Sequence, residues 1–186
     1  MVHIRTFLAG SALALAVALP AAAQTCLRPA EQSAMAVRAL QSQLMVAALS
    51  CNQHDDYNAF VTRHQRDLGT AWRELTGHFR RVHGGRAQRE MDGYITTLAN
   101  AQSQEGIRQG SHFCRNVAPL FQQALSQNGM AALASLSLEQ KVLNPYDAAA
   151  CPAPATRSAQ ATPRRSTPAP AQAAAPAQPQ TQVAVR

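Results

Sequence analysis

The sequence predicts an all-α protein, an up-and-down bundle of four or five helices held by two disulfides and followed by a disordered Pro/Ala-rich tail. Three observations carry the helical prediction. Apolar residues recur at spacings of three and four from residue 29 to about 142, the period of an amphipathic helix. No run alternates apolar and polar residues between turn formers, as a half-buried strand does. The segments between the periodic stretches are short, which makes consecutive helices antiparallel neighbours.

The first helix is expected from about Pro29 to Ser50, with Val37, Leu40, Leu44, Ala47 and Cys51 on one stripe. Proline suits a first turn because its missing N–H would have no helical partner there. The second is expected as one continuous element, from a cap at Asp55-Asp56 to a stop at Gly84-Gly85. On it, His64 centres an apolar face with Tyr57, Leu68, Ala71, Leu75 and Val82, and Phe79 and Trp72 lie a little wider. Arg66, Arg73 and Arg80 line up seven apart on the opposite side.

A third helix is expected from about Arg86 to Glu105, with Met91, Ile95, Leu98 and Gln102 in register and Gly106 closing it. The fourth begins at Ser111 or at Asn116. The later start puts Pro119 in the first turn, where proline is tolerated, and turns Val117, Leu120, Phe121, Ala124 and Leu125 inward. Asn128-Gly129 ends it, and a shorter helix from Met130 to Val142 is stopped by Pro145.

Two segments flank this domain, which is expected at residues 24–151. Residues 1–23 carry Arg5, an uncharged run from Phe7 to Leu19 and then Pro20-Ala21-Ala22-Ala23, the three-part layout of a secretory signal peptide cleaved after Ala23. The run is shorter than the ~20 residues that a spanning helix needs, and no twin arginine is present. The mature chain is therefore expected to be soluble, in the periplasm or secreted. Residues 152–186 are dominated by Ala, Pro, Gln and Thr and contain no aromatic and no acidic residue. So little bulky apolar surface cannot offset ordering entropy, and disorder is expected.

Charge divides along the same line. Residues 24–151 hold 12 Lys+Arg against 10 Asp+Glu, whereas the tail adds Arg157, Arg164, Arg165 and Arg186 against no acid. A basic extension of this kind suits an envelope protein or an anionic envelope polymer as partner. A nucleic-acid stacking platform is not expected, because exposed aromatics are not interleaved with the arginines.

Four cysteines, Cys26, Cys51, Cys114 and Cys151, in an exported chain read as two disulfides. A 22-residue helix of about 33 Å separates Cys26 from Cys51, beyond the reach of a disulfide. An up-and-down order favours Cys51 with Cys114 and Cys26 with Cys151, and leaves open Cys26 with Cys114 and Cys51 with Cys151.

Catalytic motifs are missing: there is no G-x-S-x-G elbow, no Walker or G-x-G-x-x-G glycine pattern, no C-x-x-C and no His pair at zinc spacing. No cofactor, metal or catalytic residue is assigned. His64 reads as a hydrogen-bonded core histidine. Glu31, Glu74, Glu90 and Glu105 sit on separate helices with nothing to pair them for glycosidase chemistry. Arg63 with Asp67, and Glu74 with His78, are each four apart and read as surface pairs. Arg66, Arg73, Arg80, Arg81, Arg86 and Arg89 gather on the second helix and the turn after it, and form an expected anion-binding face suited to phosphate or carboxylate.

Ala48-Leu49-Ser50-Cys51, Tyr57-Asn58-Ala59-Phe60-Val61, Tyr94-Ile95 with Leu98-Ala99-Asn100, and Phe113-Cys114 resemble a group of small secreted, four-cysteine helical proteins of Gram-negative bacteria without an established function. The resemblance covers residues 26 to about 125. Some of that group carry the name of adenosylhomocysteine hydrolase. That name does not fit this chain, since that enzyme resembles a large NAD-binding Rossmann protein, and here the strands, the glycine fingerprint and the length are all missing.

Export, the missing catalytic motifs and the cationic extension together predict a non-enzymatic binding or adaptor module of the cell envelope. The alternative is a small envelope hydrolase using helix carboxylates and His64.

Overall fold

The computed structural model describes residues 25–152. The expected signal peptide at 1–23, and all of the expected disordered tail except Pro152, lie outside the described residues. Among the described residues the chain forms α1 (Pro29–Cys51), α2 (His54–Arg63), α3 (Gln65–His83), α4 (Ala87–Gln109), α5 (Phe113–Ser126) and α6 (Met130–Glu139). Short 3₁₀ turns at Gly84–Arg86 and Gly110–His112 lead into α4 and α5. The described residues contain no named strand, only one parallel bridge from Leu27 to Ala150. The protein is all-α with two disulfides.

α1 is the axis of the packing and touches every other α-helix. Its composition explains why. Val37, Leu40, Leu44 and Ala47 face one cluster shared with Phe60 of α2, Phe121 of α5 and Leu133 of α6. Met35 and Ala39 face a second cluster with Leu75 and Phe79 of α3 and Met91, Tyr94 and Leu98 of α4. A helix buried on two sides must be apolar over most of its circumference, and its alanines let neighbours approach closely. By length and hydropathy α1 resembles a membrane-crossing helix, but it is mostly buried by its neighbours.

The five expected helical stretches are present, and the structure corrects three of their details. The second stretch is divided at His64, where φ −102° and ψ 17° leave the helical region, although Leu68 N–H still donates to the His64 carbonyl at 2.9 Å. Neither proline nor glycine marks this bend. It lets α2 pack on α5 while α3 packs on α4, and Trp72, expected near the apolar face, is left 44 % exposed.

Gly106 does not close α4. It lies inside the helix, where a Cβ would come within 3.3 Å of the Phe113 ring, so this glycine makes room for a neighbour. Gly110, with φ +55°, follows the last residue of α4. α5 starts earlier than Asn116, so Pro119 falls inside the helix rather than in its first turn. Pro119 deprives the Arg115 carbonyl of its helical donor, and both residues are exposed.

Past α6 the chain turns through Lys141 and runs back along the bundle without regular structure to Cys151. The bridges are Cys26–Cys151 and Cys51–Cys114, with Cα separations of 4.8 and 5.6 Å. Of the two pairings open from spacing, this is the one that an up-and-down order favours. Two disulfides belong to the chemistry of an oxidising compartment.

Candidate functional site

Two polar constellations stand out from this frame, one closed and one open. The closed one is centred on Glu31, in the first turn of α1 and 5 % exposed. The Glu31 carboxylate accepts from the Arg28 backbone N–H at 2.8 Å, which caps its own helix. It also accepts from Arg81 Nε at 3.1 Å and Nη2 at 2.5 Å, and stands 3.2 Å from His78 Nδ1. The Tyr146 hydroxyl stands 2.6 Å from His78 Nε2. Arg81 Nη2 also donates to the Cys26 carbonyl at 2.8 Å.

The proton positions follow from charge and burial. Burial alone would push the Glu31 carboxyl up, but the bonds from Arg81, Arg28 and His78 and the Arg81 charge hold it below the usual carboxylate range. Burial lowers the His78 pKa despite the nearby carboxylate, so the ring is neutral. His78 Nδ1 faces both the Glu31 carboxylate at 3.2 Å and Arg81 Nη2 at 3.1 Å; a proton on Nδ1, directed at the anion, leaves Nε2 to accept from Tyr146. Burial likewise pushes the Tyr146 phenol up and keeps it a donor.

A carboxylate orienting a histidine that faces a hydroxyl has the formal order of a catalytic relay. Here its geometry serves cohesion. His78 is fully buried, with its ring packed edge-on against Phe79 and Tyr146. The network ties α1 and α3 to the returning C-terminal segment. That segment is further held by Leu27 N–H to the Ala149 carbonyl and Cys151 N–H to the Leu27 carbonyl, each at 2.8 Å. Gln102 Nε2, inside α4, donates to the Ala39 and Leu143 carbonyls at 3.0 and 2.9 Å.

These contacts correct several expectations. His78 does not pair with Glu74 at the surface; it turns inward to Glu31. Arg81 leaves the expected anion-binding face, since its side chain is 18 % exposed and paired with Glu31. Adjacent helical residues point about 100° apart, and Arg80 stays outside while Arg81 does not. Arg66, Arg73, Arg80, Arg86 and Arg89 are exposed, and Arg89 lies 3.6 Å from Glu90. Asp67 stands 3.6 Å from His64 Nδ1, so its partner is not the expected Arg63. Arg63 instead reaches Asn128 Oδ1 at 3.4 Å.

His64 is 2 % exposed, with Nε2 3.0 Å from the Ala124 carbonyl of α5. Of the separate carboxylates, Glu31 engages Arg81, Glu90 engages Arg89 and Glu105 engages Arg108.

The open constellation is a cleft of about 350 Å³ between α4, α5 and the chain leaving α6, with Gln43 of α1 at its edge. Its wall is rich in amides: Gln43, Gln109, Asn116, Gln123 and Gln140 line it with Glu105 and Lys141, over Phe113, Val117, Leu120, Val142 and Leu143. Asn116 Nδ2 donates to Gln109 Oε1 at 3.1 Å, and Gln109 Nε2 donates to Glu105 Oε1 at 3.2 Å. The bonds from Gln109 and Arg108 hold the Glu105 carboxyl below its usual range.

A second groove of about 450 Å³ runs between α1, α6 and the returning segment, and a third recess of about 230 Å³ lies beside Arg80 and Gly84-Gly85. None of the three is lined by His64, His78 or Tyr146. The amides of the first cleft were not singled out in the sequence, because Gln and Asn carry no motif and their convergence depends on where α6 ends.

No family model, curated protein or solved structure matches the chain.

Proposed function

We propose that the chain is an exported, periplasmic or secreted, non-enzymatic helical module that binds a partner at the cell envelope. In this reading its basic segment from residue 152 onward contacts an envelope protein or an anionic envelope polymer. The observation that carries it is the division of labour among polar groups. The side chains with acid/base chemistry, Glu31 and His78 with the Tyr146 hydroxyl, are closed into a buried clamp. The open cleft is lined largely by amides, which form hydrogen bonds without titrating near neutral pH. A hydrolase built on His64 needs that ring in a cleft; it is 2 % exposed.

The two disulfides agree with export, as does the resemblance to small secreted four-cysteine proteins. The arginines of the last segment supply the charge for an anionic partner.

The test is native co-purification with the mature chain and with a version ending at Pro152. A partner lost on shortening makes the C-terminal segment the contacting arm. A partner retained places binding on the helical domain. Recovery of no partner by either form, together with turnover of cell-wall or lipid substrates, would replace the proposal with the hydrolase alternative.

A further inference from the structure

We propose that the cleft between α4, α5 and the end of α6 binds a short peptide, pairing with its backbone through side-chain amides and with a free carboxylate through Lys141. The inference rests on the binding-module reading and names the ligand class for that module. The volume of about 350 Å³ lies within the range of ~300–1,000 Å³ of small-ligand sites. It suits a segment of two or three small residues.

The chemistry of the wall selects the ligand. A side-chain amide presents a donor and an acceptor in one plane, as a peptide group does, so Gln and Asn pair with extended backbone at both positions. Gln123 Oε1 is enclosed and has no hydrogen-bond partner. A buried carbonyl left unpaired is unfavourable, and rotation of this amide toward a ligand N–H in the cleft would remove that penalty. The chain of bonds from Asn116 through Gln109 to Glu105 holds the opposite amides in one orientation, which lowers the ordering cost of binding. Glu105 is already compensated by Arg108, so the wall does not repel an anion strongly.

Lys141 supplies the second, independent observation. It occupies the left-handed region at φ +50°, where its own N–H donates to the Leu138 carbonyl and the Val142 N–H to the Ser137 carbonyl. That is the helix-ending geometry in which glycine is the usual residue. A lysine there is strained, and strain retained beside a cleft points to use of the side chain. Lys141 forms no ion pair with an acidic residue among the described residues, which leaves its ammonium for a ligand carboxylate. A glycan is the less suited occupant, because sugars favour an open aromatic face; Phe113, the aromatic in this lining, is 6 % exposed with its ring against Gly106.

The experiment titrates the ¹⁵N-labelled mature chain with trialanine, with trialanine amide, and with an N-acetylglucosamine trimer. Saturable shifts are expected in the side-chain NH₂ signals of Gln109, Asn116 and Gln123 with free trialanine. Binding of the amide should be about tenfold weaker, as loss of one charge-assisted contact implies. Lys141→Gln should remove the difference between the two peptides, and Arg73→Gln should preserve it. Both variants alter exposed side chains, so far-UV circular dichroism serves as the folding check. Equal binding of the two peptides, absence of peptide shifts at these amides, or shifts there with the sugar alone would each overturn the proposal. If the cleft fails these tests while a partner still co-purifies, the ligand assignment falls and the binding-module reading stands.

Discussion

Replacing Glu31 by Gln keeps the side chain's volume and removes its charge, so the substitution isolates the electrostatic part of the clamp. In the native chain one carboxylate meets the Arg28 N–H, His78 Nδ1 and two nitrogens of Arg81. Glutamine offers one acceptor oxygen and turns an NH₂ group toward donors. The Arg81 guanidinium keeps its bond to the Cys26 carbonyl but loses the Glu31 anion. Removing one member of a buried ion pair costs about 3–5 kcal/mol. Arg81 keeps 18 % exposure of its side chain, and water access reduces the penalty to about 2–3 kcal/mol.

Urea unfolding of the disulfide-intact chain, followed by far-UV circular dichroism, measures this loss. With a denaturant slope of about 1–3 kcal/mol per molar, the midpoint should fall by about 0.7–3 M. The double variant Glu31→Gln with Arg81→Met should cost less than the sum of its parts, because the orphaned charge is gone. A midpoint for Glu31→Gln within about 0.3 M of the parent would refute the argument that this carboxylate holds the clamp.

Other consequences follow from the same contacts. Stability should fall on acidification in two steps of one sign. His78 is held neutral by burial, so its contribution is present above its unfolded pKa of about 6.5 and is lost as pH drops below it. Glu31, held below its usual range, adds a loss as pH falls past about 4.5. His78→Gln should abolish the upper step in midpoint-against-pH measurements. Lys141→Gly should raise stability by about 1 kcal/mol by relieving the left-handed backbone, read as a higher Tm. Replacing Cys51 and Cys114 together by Ala opens a loop with a separation of 63 residues and should cost about 4 kcal/mol in the chain-entropy account, measured by urea unfolding.

The helical class was legible because an apolar period of three to four residues does not depend on partners. Leu40, Leu44, Leu75, Leu98 and Phe121 were placed inward by that period and are buried. What the period does not encode is the handling of polar residues. Glu31 occupies a first helical turn, where acids are common for reasons of capping and dipole, so nothing in the sequence distinguished it from a surface residue. Arg80 and Arg81 are neighbours of one type, and only the position of α1 decides which one is drawn inward. The bend at His64 was hidden for a similar reason. The ring reaches a carbonyl of α5 sixty residues away, and a tertiary contact of that kind leaves no local signature. Gly106 misled as a helix stop because a glycine that ends a helix and one that admits an aromatic ring look alike in sequence.

The clamp and the cleft are joined by one stretch of chain, and this connection gives the buried network a role beyond cohesion. The segment from Lys141 to Cys151 contributes Lys141, Val142 and Leu143 to the cleft. A few residues on, Asn144 accepts from the Tyr94 hydroxyl at 3.4 Å, and Tyr146 engages His78. Gln102 holds the Leu143 carbonyl, and the Cys26–Cys151 bridge closes the far end. A segment without regular structure has no internal hydrogen-bond ladder to fix its path. Its position, and with it one wall of the cleft, is set by these side-chain anchors. Loosening the Glu31 network should therefore raise exchange of the Lys141–Tyr146 amides before the helices unfold, since weakly anchored segments open at lower free energy than core helices.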